Sequence, residues 1–180
     1  MFCASQGYAV VMPMEMQGPL FALDEWQPER CSLALALDVI GTRSAMLLLR
    51  EAFYGTTRFD GFVRRVGITE AVAAKRLKEL VASGVLERRP YQEPGTRTRY
   101  EYVLTEMGNE LLPVIVALMQ WGDAHLRDDG GPLRIVSTDT GKPVRVRVVK
   151  AGTDSLEPED LAVRINKGRT PDRSSRGRQA

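Results

Sequence analysis

The sequence contains few of the residues that build metal centres and disulfide frameworks. Among its 180 residues there are two cysteines, Cys3 and Cys31, and one histidine, His125. That set is too small for a zinc site of the cysteine and histidine type. Sparse cysteine is also typical of proteins in a reducing compartment. We therefore expect a cytoplasmic protein without a metal ion or an organic cofactor.

Long apolar runs and a large net charge are missing as well. No stretch approaches the ~20 apolar residues of a membrane span, and the first residues lack the basic and apolar segments of a signal peptide. We expect no membrane partner. With 25 basic and 23 acidic residues the net charge is +2, so the total alone does not indicate binding to nucleic acid.

The distribution of charge along the chain is more informative than its sum. Residues 56–104 carry ten lysines and arginines against six acidic residues, and residues 167–180 carry five against one. The remainder of the chain is acidic. A local excess of positive charge is the electrostatic footprint of a surface that binds nucleic acid.

Apolar periodicity predicts four helices in the first half of the chain, separated by glycines. Thr42 or Ser44 caps the second helix, and Thr69 caps the fourth. The predicted helices are Cys31–Ile40, Ala45–Tyr54, Phe59–Val66 and Thr69–Ser83.

A two-stranded hairpin directly follows the fourth helix. Strands Val85–Tyr91 and Tyr100–Leu104 flank a Pro-Gly turn, with Arg97 and Arg99 beside it. A helix followed at once by a hairpin with arginines at its tip is the pattern of a winged helix-turn-helix. In that arrangement the helix enters the major groove of DNA and the wing holds the adjacent backbone.

The fourth helix divides into a core face and a face for DNA. Ala73, Leu77 and Leu80 recur at helical spacing and form the core face. On the outer face, short alanines allow close approach to bases, while Lys75 and Lys78 can meet phosphates. The predicted DNA-binding residues are Arg58, Thr69, Glu70, Ala71, Ala74, Lys75, Arg76, Lys78, Arg97 and Arg99.

The long helix after the hairpin carries more apolar surface than one chain can cover. Thr105 caps it, it extends to about Leu126, and Pro113 either kinks it or marks the start of its second half. Beyond the proline, apolar residues that include Leu118 and Trp121 surround too much of the helix for a surface element. We expect the same helix of a second subunit to cover it.

The last part of the chain predicts a small β appendage. Leu133–Ser137 and Val144–Val149 alternate apolar and polar residues around a turn and read as a hairpin, with Asp160–Ile165 as a candidate third strand. The predicted division is a flexible arm at 1–27, a DNA-binding and dimerisation domain at 28–128, the appendage at 132–166 and a disordered basic tail at 167–180.

Seven short runs between Cys31 and His125 occur in a characteristic order. They are CSLALALDVIG (31–41), LLLRE (47–51), RF (58–59), RLKEL (76–80), GVLERR (84–89), YEYVLT (100–105, with Gly108) and WG (121–122). No single run is specific, but the ordered set resembles the HxlR-type winged-helix transcriptional regulators of bacteria, in the MarR-like superfamily. The resemblance implies a DNA-binding homodimer joined by its first and last helices, with recognition by the fourth helix and a wing at Arg97 and Arg99.

The chain departs from the family pattern at several positions. The family usually has a tryptophan where Ser44 stands, and larger residues than Ala71 and Ala73 in the fourth helix, so the operator sequence should differ. The appendage looks like that of some actinobacterial relatives, in which cysteine pairs of zinc-ribbon type are expected. Here those places offer polar turn residues, so we expect no metal site.

Cys31 allows two interpretations. Some members of the family use a cysteine here to sense oxidants or electrophiles, and the helix N-terminus and Arg30 would favour its thiolate. A free cysteine is also a common small apolar residue of an interior.

The sequence therefore predicts a homodimeric regulator of transcription that binds double-stranded DNA and responds to a small-molecule or redox effector. The alternative is a protein–protein interaction module that keeps the winged-helix fold but has lost specific DNA binding. An enzyme is not expected, because the chain lacks a glycine-rich phosphate loop, a metal cluster and a nucleophile with a nearby base.

Overall fold

The computed structural model describes residues 31–92, 94–95, 97–149, 152 and 161–165. The predicted arm at 1–27 and the predicted tail at 167–180 lie outside the described residues. The chain divides into two compact units, Met1–Ala36 and Leu37–Ala180. The described helices are α1 (Ser32–Ile40), α2 (Arg43–Phe53), α3 (Phe59–Val66), α4 (Glu70–Ala82), α5 (Glu106–Asn109) and α6 (Leu112–His125), and the described strands are β1 (Leu86–Tyr91), β2 (Arg99–Leu104), β3 (Leu133–Ser137) and β4 (Leu161–Ile165).

Threonine side chains begin three of these helices. Thr42, Thr69 and Thr105 each accept a hydrogen bond from the backbone N–H three residues later, at 3.0–3.3 Å. A cap of this kind stabilises a helix by about 1 kcal/mol. Thr42 is therefore the cap of α2, and Ser44 lies inside the helix. Gly67 ends α3 with a φ of 73°, a left-handed conformation that glycine adopts without strain.

The inner face of α4 lies in the centre of the core. Ala73 and Leu77 are fully buried and Leu80 is 1% exposed, as the apolar spacing predicts. Because this face is buried along about two turns, the orientation of α4 about its own axis is fixed. Leu77 and Leu80 belong to one apolar cluster with Ile40, Ala45, Leu48, Leu49, Phe62, Val85, Leu86 and Ile115.

The two-stranded wing is anchored to the segment that precedes α3. The N–H of Tyr102 donates to the carbonyl oxygen of Thr57 at 2.8 Å, and Arg58 forms an isolated antiparallel bridge with Glu101. The base of the wing therefore continues into the helical part, and the predicted winged helix-turn-helix, mainly α with a small β wing, is confirmed. Within the wing the antiparallel register runs from Leu86 opposite Leu104 to Tyr91 opposite Arg99.

The predicted long helix after the wing is two helices. α5 is one turn, and Pro113 is the second residue of α6, where a helix needs no N–H donor. The proline therefore marks the start of the second half and does not kink a continuous helix. Among the described helices, none alone is long and apolar enough to cross a membrane. Only α1 and α2 taken together, as a bent pair, have the required length and apolar composition.

The appendage differs from the prediction in the partner of β3. Residues Val144–Val149 were expected to return as a strand, and this prediction is wrong. β3 pairs antiparallel with β4, which lies where the third strand was expected, and residues 143–144 add only one bridge and one hydrogen bond to β3.

A side chain of α6 explains why the expected strand does not form. The Gln120 amide donates to the carbonyl oxygen of Val144 at 3.0 Å, and its oxygen accepts from the N–H of Val146 at 3.1 Å. These backbone groups are thus satisfied by a helix side chain, which removes the need for a sheet partner.

Two glycines offer a matched test of this packing. A Cβ at Gly108 would overlap the carbonyl oxygen of Val85, whereas a Cβ at Gly122 in α6 meets nothing within 4 Å. We expect Gly108→Ala to lower the free energy of unfolding by roughly 1–3 kcal/mol through overpacking. Gly122→Ala should raise it by roughly 0.5–1 kcal/mol, because alanine is the better helix former. Urea unfolding measures both, and a change of the same sign in the two variants would contradict the packing described here.

Candidate nucleic-acid interface

The outer face of α4 is open to solvent along its whole length. Five of the residues predicted to contact DNA are exposed on it, and Val72 is 40% exposed beside them. Because the inner face is fixed in the core, these side chains point away from the protein together. The five are Glu70, Ala71, Ala74, Lys75 and Lys78.

The start of α4 combines short side chains with free backbone donors. Thr69 caps the helix and satisfies one of the first N–H groups, while Ala71 leaves the first turn uncovered. A helix N-terminus carries a partial positive charge that favours a phosphate, and Glu70 in the same turn reduces that charge. The N-terminus of α4 is thus better suited to close approach of a partner than to strong electrostatic attraction of a phosphate.

The cations of α4 differ in their freedom. Lys75 and Lys78 are exposed and have no ion pair with a described residue. Arg76 is half-buried, and its Nη1 lies 2.6 Å from a carboxylate oxygen of Glu79. Its predicted contact with a base edge or a phosphate stays a prediction, because this ion pair has to open before Arg76 can reach DNA.

The wing presents arginines at its tip. Gly95 turns the chain with a φ of 77°, and both Arg97 and Arg99 are exposed. Arg99 is the first residue of β2 and lies opposite Tyr91. Neither arginine has an ion pair with a described residue, so their charge is available to a backbone phosphate.

Arginine–tyrosine stacks lie near the turn end of the wing strands. The guanidinium of Arg58 lies 3.5 Å from the centre of the Tyr91 ring, and that of Arg88 lies 3.6 Å from the centre of the Tyr100 ring. Stacking of this kind holds a cation in one orientation at a stabilisation of about 0.5–1 kcal/mol at exposed sites. Sequence reasoning identified Arg58 but missed Arg88 and both tyrosines.

These stacks border a groove between α3 and the wing. The groove has a volume of about 400 Å³, and Arg99 also lines it. The signal in the sequence was the repeated arginine and tyrosine in both strands, but the contacts join residues on different strands and loops. Alternation alone could not pair them. The lining residues are Phe59, Asp60, Arg88, Tyr91, Arg99, Tyr100 and Tyr102.

A buried carboxylate joins α2 to α3. Glu51 is 4% exposed and forms ion pairs with Arg50, at 2.7 Å, and with Arg65 of α3. The hydroxyl of Tyr54 donates to the sulfur of Met119 at 3.6 Å, which joins the end of α2 to α6. Burial raises the pKa of Tyr54, so this hydroxyl keeps its proton at neutral pH. The helices behind α4 are thus linked by polar as well as apolar contacts.

Two further predicted positions lie away from α4 and the wing. Leu118 and Trp121 of α6 are 54% and 56% exposed. Cys31 is half-buried, and its carbonyl oxygen accepts the hydrogen bond from Leu35 that opens α1. A role for Cys31 in sensing stays a prediction. No group of three or more metal-ligating side chains occurs among the described residues.

Residues 39–129, about half of the chain, match the HxlR-like helix-turn-helix family. The chain belongs to this family. Its members regulate transcription, and the protein is accordingly a transcriptional regulator with a helix-turn-helix fold. The family region contains all of α2 to α6 and the wing, and therefore every residue predicted to contact DNA.

Individual relatives extend the likeness beyond the family region. An uncharacterised HTH-type transcriptional regulator of Mycobacterium tuberculosis is 40% identical over 119 residues, which are 66% of this chain and 74% of that protein. The Bacillus subtilis regulator YybR is 33% identical over 99 residues, 54% of this chain and 77% of its own. The crystal structure of PA1607, a candidate transcription factor, is 36% identical with a TM-score of 0.63, covering 78% of this chain and 96% of PA1607. The relatives are named as regulators, not as enzymes.

The cap of α4 can be tested separately from its DNA contacts. Thr69→Ala removes the side-chain acceptor for the N–H of Val72, and we expect the free energy of unfolding to fall by about 1 kcal/mol. Thr98→Ala in the wing is the control, since Thr98 is exposed and outside any helix. Thermal unfolding compares the two, and equal midpoints would show that the cap does not stabilise α4.

Proposed function

We propose that this regulator binds double-stranded DNA as a homodimer, with α4 in the major groove and the arginine-bearing wing on the adjacent backbone. The observation that carries the proposal is the outer face of α4. Among the described helices of the family region, it is the exposed face that combines short side chains with lysines that have no ion pair with a described residue. Because the helix cannot rotate, this face is presented to a partner as a unit.

The side chains of α4 suggest how specificity and affinity are divided. Ala71 and Ala74 let the helix backbone approach base edges, while Lys75 and Lys78 supply sequence-independent attraction to phosphates. Arg97 and Arg99 add backbone contacts from the wing. Arg58, held over the Tyr91 ring, precedes both groups along the chain and completes the proposed contact set.

The proposed dimer uses the apolar surface of α6. Val114 is 41% exposed, and Leu118 and Trp121 are more exposed still. α1 also exposes large apolar side chains, among them Leu37 at 52% and Val39 at 38%. A second copy of the chain would remove both surfaces from water, and burial of the exposed half of a Leu or Val side chain contributes roughly half of the ~1.5–3 kcal/mol that complete burial gives.

An effector would act by changing the balance between conformations of the dimer that bind DNA differently. The regulator would act in the cytoplasm, where bacterial DNA lies. A small molecule and oxidation of Cys31 are both compatible with the proposal.

The first test separates reading of bases from electrostatic attraction. Ala74→Leu adds an uncharged, exposed side chain in the middle of the outer face, and we expect the preference for the DNA upstream of the gene over a scrambled duplex to fall by about ten-fold or more. The reason is that the helix backbone can no longer approach the bases. Fluorescence anisotropy with both duplexes at low and high salt measures the preference.

The same substitution at Ala82 is the matched control. Ala82 is exposed at the last residue of α4 and lies outside the proposed contact set, so Ala82→Leu should keep the wild-type preference. Equal and salt-sensitive binding of the wild type to both duplexes would refute specific recognition. The interaction-module alternative would then be favoured.

The second test concerns the dimer. Leu118→Glu places a charge on the exposed face of α6, and we expect the dimer dissociation constant to rise by at least about ten-fold, because the charge loses water in the interface. Val148→Glu is the control, since Val148 is fully exposed in the appendage. Sedimentation equilibrium measures both, and a Leu118→Glu protein that dimerises like the wild type would exclude this face of α6 as the interface.

A further inference from the structure

A cleft lies between α6 and the appendage. Its volume is about 310 Å³, which is at the lower end of the range for small-molecule sites. Val116 and Met119 of α6 form one wall, and Leu133, Ile135 and Val144 contribute apolar surface from the appendage. These five side chains form the apolar floor of the cleft, and they come from two different parts of the chain.

The two walls are held at a fixed separation. The side chain of Gln120 binds both the carbonyl oxygen of Val144 and the N–H of Val146. Gly131 lies so close to the carboxylate of Asp123 that a Cβ there would overlap it. These contacts span from α6 to the appendage, so the cleft exists before any ligand arrives, which lowers the cost of binding.

The charges on the lining indicate the kind of ligand. Arg134 and Arg145 line the cleft from the appendage, are exposed, and have no ion pair with a described residue. Asp123 is the one acidic residue of the lining, and it lies against Gly131. The cleft thus joins an apolar floor to an excess of positive charge on its appendage side.

We propose that this cleft binds a small organic carboxylate with an apolar chain. The apolar chain lies on Val116 and Met119, and the carboxylate pairs with Arg134 and Arg145. Guanidinium groups suit this role because they bind carboxylates with two parallel hydrogen bonds. In so far as the ligand controls DNA binding, the inference rests on the proposed function.

Met119 provides the connection to the helix-turn-helix. Its sulfur accepts the hydrogen bond from Tyr54, and its side chain forms part of the cleft. Tyr54 is the residue at which α2 ends, and the guanidinium of Arg50 lies 5.9 Å from its ring. A ligand that displaces Met119 therefore acts on the end of α2, next to the ion pairs that hold α3.

Binding is tested on the full-length protein in the absence of DNA. The probe is hexanoate, and its uncharged counterpart hexanamide has the same apolar chain. With methyl-labelled methionine, NMR should show a shift of the Met119 methyl group with hexanoate, at a dissociation constant of about millimolar for a ligand of this size. Hexanamide should bind about ten-fold more weakly or not at all. Equal binding of both, or no shift of Met119, would overturn the proposal.

Three variants identify the site. Arg134→Met and Arg145→Met should each weaken hexanoate binding by about ten-fold, because a charged hydrogen bond is lost. Ala124→Phe should abolish binding, since Ala124 is exposed and lines the cleft, which the ring would fill. Arg147→Met, exposed in the same segment but outside the lining, is the control. An unchanged dissociation constant in both arginine variants would exclude this cleft.

The effect on DNA is measured separately. Hexanoate should change the affinity of the wild type for its upstream duplex several-fold, and Tyr54→Phe, which lacks the hydroxyl that meets Met119, should reduce that change. Hexanoate binding without any effect on DNA affinity would refute the role as an effector site. If the protein binds no DNA specifically, the proposed function fails, while the NMR titration still decides whether the cleft binds a carboxylate.

Discussion

The burial of one face of α4 is the constraint on which the proposed interface depends. Leu77 and Leu80 each contribute roughly 1.5–3 kcal/mol by leaving water, and fully buried Ala73 is small enough to bring the helix close to its neighbours. The cap at Thr69 contributes about 1 kcal/mol. Packing therefore decides how α4 is rotated, and the cap only decides where it begins. The short side chains and lysines of the outer face are exposed as a consequence.

α6 serves three surfaces at once, which explains its unusual composition. Ile115 is buried in the core, Leu118 lies on an open apolar face, and Met119 lies partly in the core and partly in the cleft. A helix with one buried face would repeat apolar residues every three to four positions, with polar residues on the opposite face. α6 instead is apolar on several sides, because these sides face the core, the cleft and the proposed dimer interface. The proposed coupling between the cleft and the helix-turn-helix depends on this arrangement, because Met119 of α6 contacts Tyr54 and also lines the cleft.

Local signals were sufficient to predict most of the fold. The caps at Thr69 and Thr105 located the starts of two helices, the cap of α2 was left open between Thr42 and Ser44, and alternation with a Pro-Gly turn located both strands of the wing. The partner of β3 could not be predicted, because Gln120 of α6 occupies the backbone groups that a strand at 144–149 would need. Sequence periodicity carries no information about a side chain from a distant helix.

For the candidate interface, too, the sequence predicted the features that depend on local spacing and not those that depend on contacts between distant residues. Exposure of Lys75 and Lys78 follows from helical spacing, and so does the Arg76–Glu79 ion pair at i and i+3, although the sequence interpretation left Arg76 free to contact DNA. The stacks of Arg58 on Tyr91 and of Arg88 on Tyr100 depend on three-dimensional neighbours. Four of the proposed phosphate contacts have no ion pair with a described residue: Lys75, Lys78, Arg97 and Arg99. At a salt slope of about 0.9 per phosphate contact, so few contacts in one subunit give weak attraction, and a second subunit doubles them. The apolar face of α6 and the sparse charge of α4 and the wing therefore both favour the proposed binding as a dimer.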